Sequence, residues 1–261
     1  MVSHVTTPAA EVLETLPDWV TLVRAPNPGP MTLDGTNTWV LRAPGAPAIV
    51  VDPGPLDEGH LRAVAGLGPV AAILLTHGHE DHTEGVPRLA ELSGAVVLSP
   101  PVAEPVEAGG VSVEPIPTPG HTSDSVCFRV RYQGEEIVLT GDTILGRGTT
   151  IVAWPDGNLG DYLTSLDVLA ALDGRPALTG HGPALTDTGG AARFYRRHRE
   201  ARLEQVRAAV AAGAVEVSEV VARVYADVDR SLWAAAEWSV RAQLDFLRRE
   251  SQRTADGLDA T

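Results

Sequence analysis

Thr76-His77-Gly78-His79-Glu80-Asp81-His82 places three imidazoles and the Asp81 carboxylate within six positions. Before it runs Val70-Ala71-Ala72-Ile73-Leu74-Leu75, an apolar segment of strand length. After it, Val86, Leu89, Ala90 and Leu92 have the spacing of a short amphipathic helix. The cluster is therefore expected in a turn at the carboxyl end of a buried strand, where open sheets expose reactive side chains. Neutral imidazole and carboxylate suit zinc, with manganese or iron as competitors. His77 and His79 are two apart, so an extended backbone can turn both toward one ion. Asp81 and His82 can face a second. A helical pair of histidines four apart, as in zinc proteases, does not fit this spacing.

One turn cannot complete two coordination shells. Three further donors stand at the ends of apolar or β-branched segments, each just after a glycine. They are His121 in Thr118-Pro119-Gly120-His121, Asp142 in Leu139-Thr140-Gly141-Asp142, and His181 in Thr179-Gly180-His181. Glycine lets a backbone pass close to such a centre.

The series His77-x-His79-x-Asp81-His82, His121, Asp142, His181 resembles the metallo-β-lactamase superfamily. The resemblance implies a four-layer αββα sandwich, where periodicity alone supports only mixed α and β. It implies that His77, His79 and His121 hold one Zn2+, and that Asp81, His82 and His181 hold a second. Asp142 would lie between them, and Mn2+ or Fe2+ are possible in place of zinc. An aspartate rather than a cysteine at position 142 resembles the glyoxalase II, lactonase and nuclease branches. The stretches Asn27 to Trp39 and Gly141 to Thr150 are similar to lactamase-beta-2-type proteins. Those include an endoribonuclease acting on single-stranded RNA. In the superfamily an aspartate at the place of Asp52 supports the ligand turn; as a residue type, Asp52 is equally suited to forming the turn itself.

Composition narrows the chemistry. None of the 261 residues is lysine, so Schiff-base chemistry is excluded. The single cysteine, Cys127, lies in a strand-like stretch and reads as a core residue; no internal disulfide can form. No basic segment followed by an apolar run opens the chain, and no apolar run reaches membrane-spanning length, so a cytoplasmic location is expected. The net charge is −14. Residues 1–192 carry 8 arginines against 23 acids, and residues 193–261 carry 12 against 11. An acidic body repels polyanions at long range.

Along the chain, residues 1–18 read as a loosely structured lead-in and Trp19–Arg24 as a strand. Asn27–Asn37 is a loop, either a plain connection or a rim over the site. Further strands are expected at 38–41, 48–51, 95–98, 111–116, 126–130 and 136–139, and helices at 56–67 and 159–172. Pro100–Gly110 reads as loop, and Gln133-Gly134 as a hairpin turn. Phe194–Ala212 forms an arginine-rich helix. Ser218 then caps a short helix, and Ser231 a longer one through Arg249. Residues 1–190 are thus expected to form a catalytic domain. Residues 191–261 resemble a small C-terminal winged-helix-like domain lacking room for a β-hairpin wing. Its arginines alternate with glutamates, so sequence-specific DNA binding is not expected. The preferred role is to wall the cleft; a homodimer through Leu232, Trp233, Trp238 and Leu244 is the alternative.

The expected activity is hydrolysis by a metal-bridging hydroxide, with Asp81 orienting the nucleophile. Arg147 reads either as a solvated loop residue or as a clamp for a phosphate or carboxylate. The first reading is a phosphodiesterase acting on single-stranded RNA. The alternative is an acyl hydrolase cleaving a thioester or lactone of a small metabolite or carrier-bound acid, which suits the acidic body better. A non-catalytic protein with one structural zinc ranks last, because structural sites are closed by four ligands.

Overall fold

The computed structural model describes residues 8–100 and 104–255. The first part of the lead-in, residues 101–103 and the acidic tail from 256 lie outside the described residues. One sheet has the order β1 (Val20–Arg24), β2 (Asn37–Leu41), β3 (Ala48–Val51), β4 (Val70–Leu74), β5 (Val96–Leu98). The other has the order β10 (Ala177–Thr179), β9 (Glu135–Gly141), β8 (Val126–Tyr132), β7 (Val111–Pro117), β6 (Val106–Ala108). β3, β4 and β5 run parallel, as do β9 and β10; the other neighbours are antiparallel.

Period-two patterning assembles the layers. Trp39, Leu41, Ile49 and Val51 of the first sheet face Phe128, Val130, Ile137 and Leu139 of the second in one core. The alternate residues point outward. Val40, Val50 and Ile73 pack under α1 (Glu58–Gly66) and α3 (Val86–Ser93) through Leu61, Val64 and Leu89. Cys127 and Val138 pack under α4 (Leu159–Ala170) and α5 (Thr188–Ala211) through Tyr162, Leu166 and Tyr195. Two sheets between two helical layers make the αββα sandwich. Fully burying one such Leu or Ile contributes about 1.5–3 kcal/mol.

The C-terminal part adds α6 (Val217–Val224), a 3-10 turn at Arg230–Leu232 and α7 (Trp233–Ala255) around a smaller core of Val206, Val220, Val221, Val224 and Val240. α5 contributes to both this core and the one beneath it, so the expected boundary at residue 190 falls within its first turn. No strand follows β10 among the described residues.

Several local expectations are corrected. α5 starts at Thr188, ahead of Phe194, because Asp187 and the small residues Gly189, Gly190, Ala191 and Ala192 let its first turns pack against α4. Glu216, not Ser218, caps α6, through a reciprocal capping box with Glu219. Asp229 caps the 3-10 turn by accepting from the Ser231 amide, so Ser231, expected to cap the long helix, lies inside the turn that leads into α7. β6 occupies part of the stretch read as loop, because Val106–Ala108 pairs with Val111–Val113 across Gly109 and Gly110, both with positive φ. The end of the lead-in is tied down: Leu13 donates its amide to Ala184 O, and the Thr186 amide donates to Glu11 O.

Candidate metal centre

α2 (Glu80–Thr83) follows β4 after one turn, and His79 precedes it in extended conformation at φ −64°, ψ 144°. After this break His77 and His79 meet His121, Asp81 and His82 meet His181, and the His77 and His82 ring centroids lie 4.3 Å apart. His77 Nε2 lies 3.0 Å from His79 Nδ1, and His121 Nε2 lies 3.1 Å from the same atom. Three ring nitrogens thus converge on one point. Ligands of a tetrahedral zinc, with bonds of about 2.0–2.1 Å, stand roughly 3.3 Å apart. Beside them, His181 Nε2 is 3.1 Å from Asp81 Oδ2 and 3.3 Å from His82 Nε2. Asp142 reaches both groups, with Oδ1 3.5 Å from His82 Nε2 and Oδ2 3.4 Å from His181 Nε2 and 3.9 Å from His121 Nε2. All seven expected residues are therefore gathered at one place, and they sort into sets able to hold metal ions.

The donor chemistry fits divalent cations. Asp142 Oδ1 is buried without a hydrogen-bond partner. Burial alone would raise its carboxyl, but His181 and His82 outweigh that and hold it well below the usual range. Burial and the neighbouring imidazoles keep His77 well below the ordinary histidine value, and burial lowers His121. Both are thus neutral at pH 7, the form that ligates. His181 is pushed up to about 10, where Asp142 and Asp81 outweigh its burial. His82 is likewise raised, burial being outweighed by Asp52 and Asp142.

Around these residues a second set of contacts orients the rings. Asp52 accepts from the Thr76 amide at 2.8 Å and from Thr76 Oγ1 at 2.7 Å, and its Oδ2 is 2.9 Å from His82 Nδ1. Of its two readings, Asp52 therefore braces the ligand turn, from a left-handed backbone at φ 53°. His77 Nδ1 meets Thr76 Oγ1, His121 Nδ1 meets Ile151 O at 2.6 Å, and His181 Nδ1 meets Gly35 O at 3.3 Å. Each contact leaves Nε2 toward the centre. A Cβ at Gly180 would stand 2.3 Å from Asp142 Oδ1, so only glycine permits that approach.

The Asn27–Asn37 loop is a rim. Its end pairs with the residues around His181: the Asn37 amide donates to Gly180 O, and Asn37 Nδ2 donates to Gly182 O. Arg147 lines the cavity beside the metal-binding candidates, and both arms of its guanidinium donate to the Asp34 carboxylate of this loop. Tyr162 is fully buried and donates to Thr143 O. Burial pushes the Cys127 thiol up to about 11, as befits a core residue. Trp233 and Leu244 pack into their own C-terminal core, which leaves Trp238 as the exposed member of the expected dimer surface.

A cavity opens from His121 and Asp142 and is closed on its far side by Tyr225, Val228, Leu232, Ala235 and Ala236 of the C-terminal helices. Met31 and Leu33 of the rim add apolar wall. Arg199 and Arg202 of α5 also line it, and the sequence reading passed over both. Their signal was present: positions 195, 199, 202, 203, 206 and 209 form one helical stripe, all buried.

Comparison with known proteins places these features in context. Residues 31–111 and 100–181 match the model of the metallo-beta-lactamase superfamily, and residues 217–255 match that of the beta-lactamase associated winged helix domain. The beta-lactamase-like protein 2 homolog of Drosophila melanogaster is 30% identical over 87% of this chain and 86% of its own length. An atrochrysone carboxyl ACP thioesterase of Cryptosporiopsis sp. is 31% identical over 85% of this chain and 76% of its own length. Among solved structures, a beta-lactamase domain protein from Burkholderia ambifaria superposes with a TM-score of 0.77 at 22% identity, covering 94% of this chain and 90% of that one.

Proposed function

Since the chain belongs to the metallo-β-lactamase superfamily, a superfamily of hydrolases, we propose that it is a metal-dependent acyl hydrolase that cleaves thioesters. The observation that carries this reading is the apolar cavity leading from His121 and Asp142 to the C-terminal helices. Its aliphatic residues and Tyr225 suit an acyl group; Arg147, Arg199 and Arg202 also line it, but a polyanion would meet a chain of net charge −14. Relatives named as ACP thioesterases support the same chemistry. The single-stranded RNA reading, placed first from the sequence, has no support among the relatives named here, and its local candidate Arg147 is paired with Asp34.

Residues 1–190 carry the chemistry in this proposal, and residues 191–261 complete the cavity wall. His77, His79 and His121 would hold one divalent cation, Asp81, His82 and His181 a second, with Asp142 between them, and such cations, zinc by the donor set, would supply Lewis acidity to an acyl carbonyl. Asp81 is partly exposed at the cleft and orients the attacking water. The water oxygen joins the acyl carbon, the C–S bond breaks, and a proton goes to the leaving sulfur. Asp52 keeps the His82 ring aligned throughout.

The test is thiol release from acyl N-acetylcysteamine thioesters by metal-loaded protein, with Asp142→Ala and a labelled single-stranded RNA run in parallel. Release by wild type and none by the variant is expected. RNA cleavage lost in the variant, without thiol release, would overturn the reading.

A further inference from the structure

Two buried arginines of α5 line the same cavity, yet only one has a carboxylate. Arg202 lies 3.3 Å from Asp227, donates to Val224 O, and stacks on Tyr225 with its Cζ 4.8 Å from the ring centroid. Arg199 is 3% exposed and has no carboxylate within ion-pair distance among the described residues. Its Nη2 donates to Thr150 O, its Nε is buried without a partner, and its Cζ lies 5.6 Å from the Tyr162 ring centroid. The neighbouring phenols do not neutralise it. Burial holds Tyr162 and Tyr195 well above the ordinary tyrosine value, so both stay protonated. A π face, a carbonyl and the neutral Tyr162 hydroxyl compensate a buried guanidinium only in part.

Arg199 also sits beside the reacting end of the cavity. Thr150, whose carbonyl it contacts, has its hydroxyl 3.3 Å from His121 Nδ1. We propose that Arg199 is a specificity-determining site that binds a carboxylate-type oxyanion on the acyl portion of the substrate. The substrate class is then an acyl thioester bearing a second acidic oxygen group, held while its carbonyl lies at the His and Asp cluster. Such a group would supply the counter-charge that Arg202 already has in Asp227. The assignment rests on the acyl-hydrolase reading, so its test needs a readout independent of turnover.

Wild type, Arg199→Met and Arg199→Lys are compared on N-acetylcysteamine thioesters of ω-carboxyacyl chains, succinyl to adipoyl, and on neutral acyl chains of the same lengths. At one or more lengths wild type should prefer the carboxyacyl substrate by roughly tenfold to a hundredfold in kcat/KM, mainly through KM. Arg199→Met should bring the ratio close to one, and Arg199→Lys should retain part of it. A merely structural role would lower both substrates alike and leave the ratio standing. Calorimetric binding of the uncleavable amide counterparts should follow the same order. Discrimination among the amides without thioester cleavage would sink the hydrolase reading and keep Arg199. Cleavage without discrimination, or a ratio that survives in Arg199→Met, overturns the Arg199 assignment. If the Met variant does not fold, the ratio in wild type and Arg199→Lys still decides.

Discussion

The floor and the far wall of the cavity are built by opposite means. The floor is seven polar side chains brought from four strand ends, five of them buried, with the rings of His77, His82, His121 and His181 each braced by a second contact. The wall is mostly small and aliphatic, drawn from Tyr225, Val228, Leu232, Ala235 and Ala236, with two arginines of α5 set into it. In the proposed reading a change in the floor alters the reaction itself and a change in the wall alters which molecule reaches it, and each substitution tests one side.

The largest effect is expected in the floor. Asp142→Ala or His79→Ala should reduce kcat/KM by on the order of a hundredfold to ten-thousandfold, since cation contributions amount to several kcal/mol. Circular dichroism should remain that of the wild type, and metal content measured by mass spectrometry should fall. Unchanged turnover with altered metal content would break the proposed role of the floor. One step outward, Asp52→Ala should weaken metal affinity by about ten- to a hundredfold in a competition titration, because His82 loses its brace.

The wall should respond differently. Ala236→Trp fills the cavity and should raise KM for bulky acyl thioesters by about tenfold, at the scale of a lost apolar contact, with metal content intact. Equal losses for short and bulky acyl chains would blur the line between floor and wall.

The smallest effect belongs to the rim. Asp34 is 43% exposed at its side chain, so solvent screening limits the Arg147 pair to less than about 1 kcal/mol. Arg147→Ala should change kcat/KM by no more than a few-fold. The Arg147 hydrogen bond lowers the Asp34 carboxyl. Its contribution is therefore present above the ordinary carboxylate range and lost as pH falls through the depressed value. Kinetics of wild type and Arg147→Ala should converge at acid pH; a gap that widens there would remove the latch from the comparison.

The floor was legible because a metal-ligating turn is short. His77, His79, Asp81 and His82 come from one segment, and His121, Asp142 and His181 each follow a glycine at a strand end. The strands β2, β3, β8 and β9 were legible as short apolar runs, but which alternate residues face the other sheet and which the helices was decided by packing. Helix starts were less so. Ser218 and Ser231 are good capping residues, but Glu216 and Asp229 lie nearer the bends that open α6 and the 3-10 turn. The partners of Arg147 and Arg199 were not legible, because they depend on residues 113 and 49 positions away.

By itself the sequence determined the candidate donors, their order along the chain and the superfamily of hydrolases to which the chain belongs. Those follow from local spacing and from the coordination chemistry of imidazole and carboxylate. Only the tertiary structure decided that Asp52 braces His82, that Arg147 is occupied by Asp34, and that an apolar wall carries a buried arginine without a carboxylate. These depend on which distant surfaces meet when the sheets, α5 and the C-terminal helices pack. Burial then turns an arginine that reads as a solvated helix residue into a charge in need of a partner.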